Sequence, residues 1–88
     1  MTCKIDRDVI GEDPVVLRVS GRITGENVNL LRALLDRENG PLTMDLKDVR
    51  LVDDEAVRLL AIHESKGAEI NNCPMYIREW ITREREAE

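Results

Sequence analysis

Apolar and polar positions alternate along residues 15–23 (VVLRVSGRI), with Val15, Leu17 and Val19 on one side and Val16, Arg18 and Ser20 on the other. That period, with its β-branched residues, predicts a strand. Gly21 inside it predicts a bulge or a close backbone approach. Residues 3–10 (CKIDRDVI) carry a similar pattern, with Cys3, Ile5 and Val9 expected inward and Lys4, Asp6 and Asp8 outward. Only Gly11-Glu12-Asp13-Pro14 separates the two runs, a turn that predicts an antiparallel hairpin.

The period changes after Ile23. Val28, Leu31 and Leu35 recur at helical spacing, joined by Leu30 and Leu34, and predict a sheet-facing helix from Thr24 to the region of Asn39. Thr24 is the expected cap, its hydroxyl accepting from the N–H of Glu26 or Asn27. Asn39-Gly40-Pro41 is the expected stop, with Gly40 left-handed and Pro41 blocking continuation. Leu42 to Leu46 predicts the third strand, with a turn at Lys47-Asp48 and Val49 still in the apolar run.

Ala56, Val57, Leu60 and Ala61, widened by Leu59 and Ile62, predict a second helix that Lys66-Gly67 closes. Ala68 to Cys73, centred on Ile70, predicts a short strand. Pro74 suits the first position of a third helix, on which Tyr76 pairs with Trp80 and Ile77 with Ile81. The charged end from Thr82, residues 83–88 above all, is expected to fray. The order is β-β-α-β-α-β-α. Strands that follow helices pair in parallel by right-handed crossovers, so the expected fold is α/β, a small mixed sheet with helices mainly on one face.

Composition narrows the class. The 88 residues make one small domain, and 42% hydrophobic residues are enough for a core, which excludes a disordered chain. With no Phe, one Trp and one Tyr, that core must be aliphatic. The net charge of −5 repels phosphate backbones, which argues against nucleic acid and anionic membranes as main partners. No apolar run is long enough to span a bilayer and no secretion signal opens the chain. Cys3 and Cys73 lie far apart without metal-ligand spacing, so reduced thiols in a cytoplasmic protein are expected.

Catalytic signatures are thin, and no catalytic residue, cofactor or metal is expected. There is no Gly-rich phosphate loop. His63 stands alone within the second helix and reads as a helix-surface or core-edge residue. Cys73 before Pro74 reads as a small residue packed beside a turn. Trp80 reads as a core contact of the last helix, the other reading being an anchor for a protein partner. The chemistry is concentrated at Asp53, Asp54 and Glu55, just before the second helix. Carboxylates belong there because the first helical N–H groups lack acceptors and the dipole favours negative charge. With Asp45 and Asp48 they also invite comparison with a magnesium site, but the reading preferred is a cap with a solvated acidic rim.

From Val15 to Ile81 the chain resembles the STAS domain of bacterial anti-sigma factor antagonists. The stretches that carry the resemblance are Val19-Ser20-Gly21-Arg22-Ile23-Thr24, Leu42-Thr43-Met44-Asp45-Leu46 leading to Val49 and Val52-Asp53, Gly67-Ala68-Glu69-Ile70, and Pro74-Met75-Tyr76-Ile77. In that family Asp-Ser-Ser/Ala-Gly and an aliphatic residue open the second helix. A partner kinase, itself the anti-sigma factor, phosphorylates the serine and so breaks the complex. Here Asp53 matches the aspartate and Val57 the aliphatic residue, while Asp54 stands at the phosphoacceptor position, Glu55 at the small residue and Ala56 at the glycine. The switch residue is therefore missing.

Asp54 has two readings: a helix cap equivalent to the hydroxyl, or a permanent negative charge in the manner of a phosphoserine. The resemblance implies a non-catalytic regulatory module that binds a protein such as an anti-sigma factor. Its expected contact residues are Asp53, Asp54, Glu55, Arg58 and Thr24. The other readings are a non-switching subunit of a transporter or other complex, and a small-ligand or metal-binding regulator.

Overall fold

The computed structural model describes residues 3–9, 11 and 14–87. The chain runs β1 (Cys3–Asp8), β2 (Val15–Ile23), α1 (Glu26–Asp36), β3 (Leu42–Val52), α2 (Asp54–Ser65), β4 (Glu69–Asn71) and α3 (Met75–Glu86). The strands form one mixed sheet in the order β1-β2-β3-β4. β1 is antiparallel to β2, whereas β2–β3 and β3–β4 are parallel. Both parallel crossovers step in the same direction, and a common right-handedness puts their helices on the same face. The expected α/β order and mixed sheet are what the chain adopts.

One aliphatic core lies between sheet and helices. Leu17, Val19 and Ile23 of β2 and Met44 and Leu46 of β3 share one buried cluster with Val28, Leu31 and Leu35 of α1, Leu60 of α2, and Ile77 and Ile81 of α3. Trp80 is half-buried against the same cluster. The opposite face of the sheet carries Lys4, Asp6, Arg18, Lys47 and Asp48, all exposed. A sheet with one packed and one solvated face produces just the alternation seen in β2.

β3 departs from that alternation for a local reason. Its buried positions are Leu42, Met44 and Leu46, then Val49, then Val52. Against β2 its register slips between Arg18 and Ser20, and again between Gly21 and Arg22. Each slip adds one residue to β3 and keeps the next valine on the core side. The expected turn at Lys47-Asp48 is thus a bulge within a longer strand. The Asp45 carboxylate accepts from the Lys47 N–H at 3.0 Å and holds the backbone there. Gly21, across from the bulged region, has φ +89, the backbone freedom its position in β2 predicted.

Other boundaries move for identifiable reasons. Val9 lies beyond β1 and is exposed rather than inward. Ile10 and the turn residues Glu12 and Asp13 lie outside the described residues. α1 ends at Asp36, with Arg37 and Glu38 donating back to Leu34 and Leu35, so the stop precedes Gly40, which has no positive φ. α2 ends as its Lys66-Gly67 pair predicts. Gly67 takes φ +107, its N–H reaches the Glu64 carbonyl, and the Ala68 N–H reaches that of His63. β4 is shorter than expected, and Pro74 precedes α3 instead of entering it. α3 stays helical through Glu86, past the point where fraying was expected.

Candidate functional site

β2 and β3 are parallel neighbours, and Ile23 pairs with Val52 where both strands end. The loop into α1 and the start of α2 therefore leave the sheet side by side. The Asp53 N–H donates to the Ile23 carbonyl at 3.3 Å, the last link between the two strands. Asp53 then caps α2 from an extended conformation. Its Oδ1 accepts from the Ala56 N–H at 2.9 Å, and its Oδ2 accepts from the Gly25 N–H at 2.9 Å. Burial pushes the Asp53 carboxyl up. The backbone N–H groups of Gly25, Ala56, Asp53 and Glu55 outweigh that and hold it below the usual aspartate range.

Gly25 must be glycine for this arrangement. Its φ of 55° and ψ of −125° lie where a side chain is strongly disfavoured. α1 consequently begins without a side-chain cap. Thr24 takes part through its carbonyl, which accepts from the Asn27 N–H at 3.0 Å, and not through its hydroxyl as expected. Asn27 Nδ2 donates to the Arg22 carbonyl at 3.1 Å and fixes the same loop from the other side.

The first turn of α2 is sorted by these contacts. Ala56 and Val57 are buried, while Asp54, Glu55 and Arg58 are exposed. Asp54 is the first helical residue and not the cap, a role that Asp53 fills. Among the described residues the side chain of neither Asp54 nor Glu55 has a hydrogen-bond or ion-pair partner, because Asp53 supplies the side-chain cap. Arg58 reaches Glu84 of α3 at 3.9 Å and remains largely exposed. Beside it runs an open groove of about 400 Å³ lined by Arg32, Glu55, Arg58, Leu59 and Ile62. The structure thus gathers Asp54, Glu55 and Arg58 on one face, sets Thr24 half-buried next to it, and turns Asp53 inward as a clamp. Gly25 and Arg32 belong to this region but were not singled out from the sequence. A glycine directly before a helix was a usable signal for the first. Arg32 had none, since only packing brings α1 beside α2.

The remaining chemistry-bearing residues lie elsewhere. His63 borders a cleft with Leu35, Asp36, Leu42 and Lys66, at the far end of α2. Burial and the Lys66 charge lower its pKa, against an opposing pull from Asp36. Burial pushes the Cys73 thiol up, with Arg78 opposing, so Cys73 is held as a thiol. Cys3 and Cys73 are both free and sit on and beyond opposite edge strands. The five acids do not converge: no group of three His, Cys, Asp or Glu side chains among the described residues is arranged to hold a metal ion. No helix among the described residues is long and apolar enough to cross a membrane. No protein-family model and no curated protein matches this chain.

Proposed function

We propose that the protein is a non-catalytic regulatory interaction module of the STAS type. Its docking face is the first turn of α2, where Asp54 and Glu55 form an acidic lip beside Arg58 and the groove at Arg32 and Ile62. One observation carries this reading. Asp53 caps α2 through Oδ1 and holds the loop before α1 through Oδ2, which leaves the side chains of Asp54 and Glu55 exposed and without a partner among the described residues. The β-β-α-β-α-β-α order agrees with the domain that the sequence resembles. A cytoplasmic protein with a basic docking surface, of the anti-sigma factor kind, is the partner this face fits. With Asp54 at the phosphoacceptor position the charge is permanent, so a serine kinase does not switch it.

Affinity capture from the source organism, followed by titration of the captured protein, tests the reading. Wild-type chain is expected to retain a partner that Asp54→Lys and Arg58→Glu variants lose. Equal binding by all three would remove the junction from consideration. An Asp54→Ser variant that gains a partner rejected by the wild type would instead mark Asp54 as a mimic of phosphoserine.

A further inference from the structure

We propose that β1 is a dimerisation edge, on which two copies of the chain pair antiparallel about a two-fold axis at Ile5 and join their sheets into one. β2 occupies one side of β1, and none of the described residues pairs with the other. That side presents a row of unsatisfied backbone N–H and C=O groups, which is a template for another strand. Edges that stay single are usually blunted by proline, by a bulge or by charged side chains, lysine above all. β1 has no proline, and its register with β2 is regular from Cys3 to Asp8. Its charged residues are Lys4, Asp6, Arg7 and Asp8, two of each sign, so the strand itself is neutral within an acidic chain.

The order of those charges selects one pairing. Lys4 and Asp6 point to the open face, exposed, and within one copy they meet only loosely, at 3.8 Å, a contact that the cross-strand pairs would replace. Antiparallel pairing about Ile5 sets Lys4 of each copy opposite Asp6 of the other, which makes two cross-strand ion pairs. Asp6 stands opposite Arg18 of β2 in the register of its own sheet, while the Arg18 guanidinium itself reaches Asp8. Asp6 would then lie between Arg18 and the second copy's lysine, and signs would alternate across the joined sheet. Centring the pair on Lys4 would oppose two lysines, and centring it on Asp6 would oppose two aspartates. On the helix-bearing face Ile5 meets Ile5. Each is half-buried against its own core, so pairing continues the two apolar layers across the axis.

Sedimentation of the full chain over a range of concentrations tests the proposal. The wild type is expected to form a reversible dimer. Lys4→Asp and Asp6→Lys each place like charges opposite one another twice, and each is expected to weaken the dimer roughly tenfold or more. Mixing the two variants restores opposite charges at both positions, so a heterodimer tighter than either homodimer is expected. A wild type that stays monomeric at every concentration would overturn the proposal, as would a dimer indifferent to both substitutions. Because Asp6→Lys also faces Arg18, a second measurement is independent of charge. Ile5→Cys, with Cys3→Ser and Cys73→Ser, is expected to give a disulfide-linked dimer on mild oxidation. Failure to cross-link in a dimeric sample would refute the register.

Discussion

The Gly25 N–H donates to Asp53 Oδ2 at 2.9 Å, across 28 residues of chain. The same carboxylate caps α2 through Ala56. One side chain therefore sets where both helices begin relative to the end of the sheet. It also decides which acids face water, because a helix start satisfied by Asp53 leaves its two neighbours free.

Asp53→Ala is expected to cost about 1–2 kcal/mol, since it removes a helix cap and a loop hydrogen bond together. Asp53→Asn should recover only part of that. An amide has one acceptor oxygen, so its NH₂ would confront either the Gly25 or the Ala56 N–H. Urea unfolding of both variants checks this. An Asn variant as stable as wild type would mean that one of the two bonds contributes nothing.

Backbone conformation gives a second test. Gly25 and Gly67 both have positive φ, and an added Cβ would meet nothing within 4 Å at either position. The cost of alanine is therefore conformational and not steric crowding. Gly67→Ala is expected to cost about 1 kcal/mol, and Gly25→Ala more, because relaxing its backbone also pulls its N–H away from Asp53. Thermal unfolding of the two variants ranks them.

Glu64 offers a third. It accepts from Arg78 at 2.7 and 2.8 Å and from Arg85 at 2.9 Å, and so fastens α3 to α2. The cluster is partly exposed, and solvent screening limits its worth. Glu64→Gln is expected to destabilise by about 1 kcal/mol, Arg78→Ala by a similar amount, and Arg85→Ala by less. A double-mutant cycle between Glu64 and Arg78 measures the coupling, and additive single effects would show none.

Acid should lower the stability of the chain over two pH ranges. His63 has its pKa lowered by burial and by Lys66, so the folded state prefers it neutral. Its contribution is complete above the unfolded value of 6.5 and is lost as pH falls through the lower folded value. Asp53 and Glu64 are carboxylates with lowered pKa. In Asp53 backbone donors outweigh burial, and in Glu64 the Arg78 hydrogen bonds do. Their contribution is complete above the ordinary carboxylate range near pH ~4 and is lost as pH falls through the depressed values. Stability against pH should show a shallow decline first and a steeper one below about pH 4. His63→Gln should flatten the first, and Asp53→Ala should weaken the second.

The particular residues show how far spacing alone carries. Val28, Leu31 and Leu35 announced the buried face of α1, and Val15 to Ile23 announced β2 with its ends unchanged. Lys66-Gly67 announced the end of α2 through contacts no more than five residues apart. The polar pair Lys47-Asp48 looked like a turn because a bulge and a turn both interrupt alternation. Only pairing with β2 shows that the strand goes on. Thr24 looked like a cap because hydroxyls before helices usually are, yet Asp53 of a distant segment claims the loop instead.

The sequence by itself determined the order of the elements, the aliphatic core and the presence of acids at the second helix. Each depends on periodicity and on hydrogen bonds between near neighbours. The tertiary structure alone decided that Asp53 turns inward while Asp54 and Glu55 face water, that β3 continues through two register slips, and that β1 is left at an edge. These depend on which strands lie side by side, and that proximity comes from burying the core of the whole chain, which no local window of residues contains.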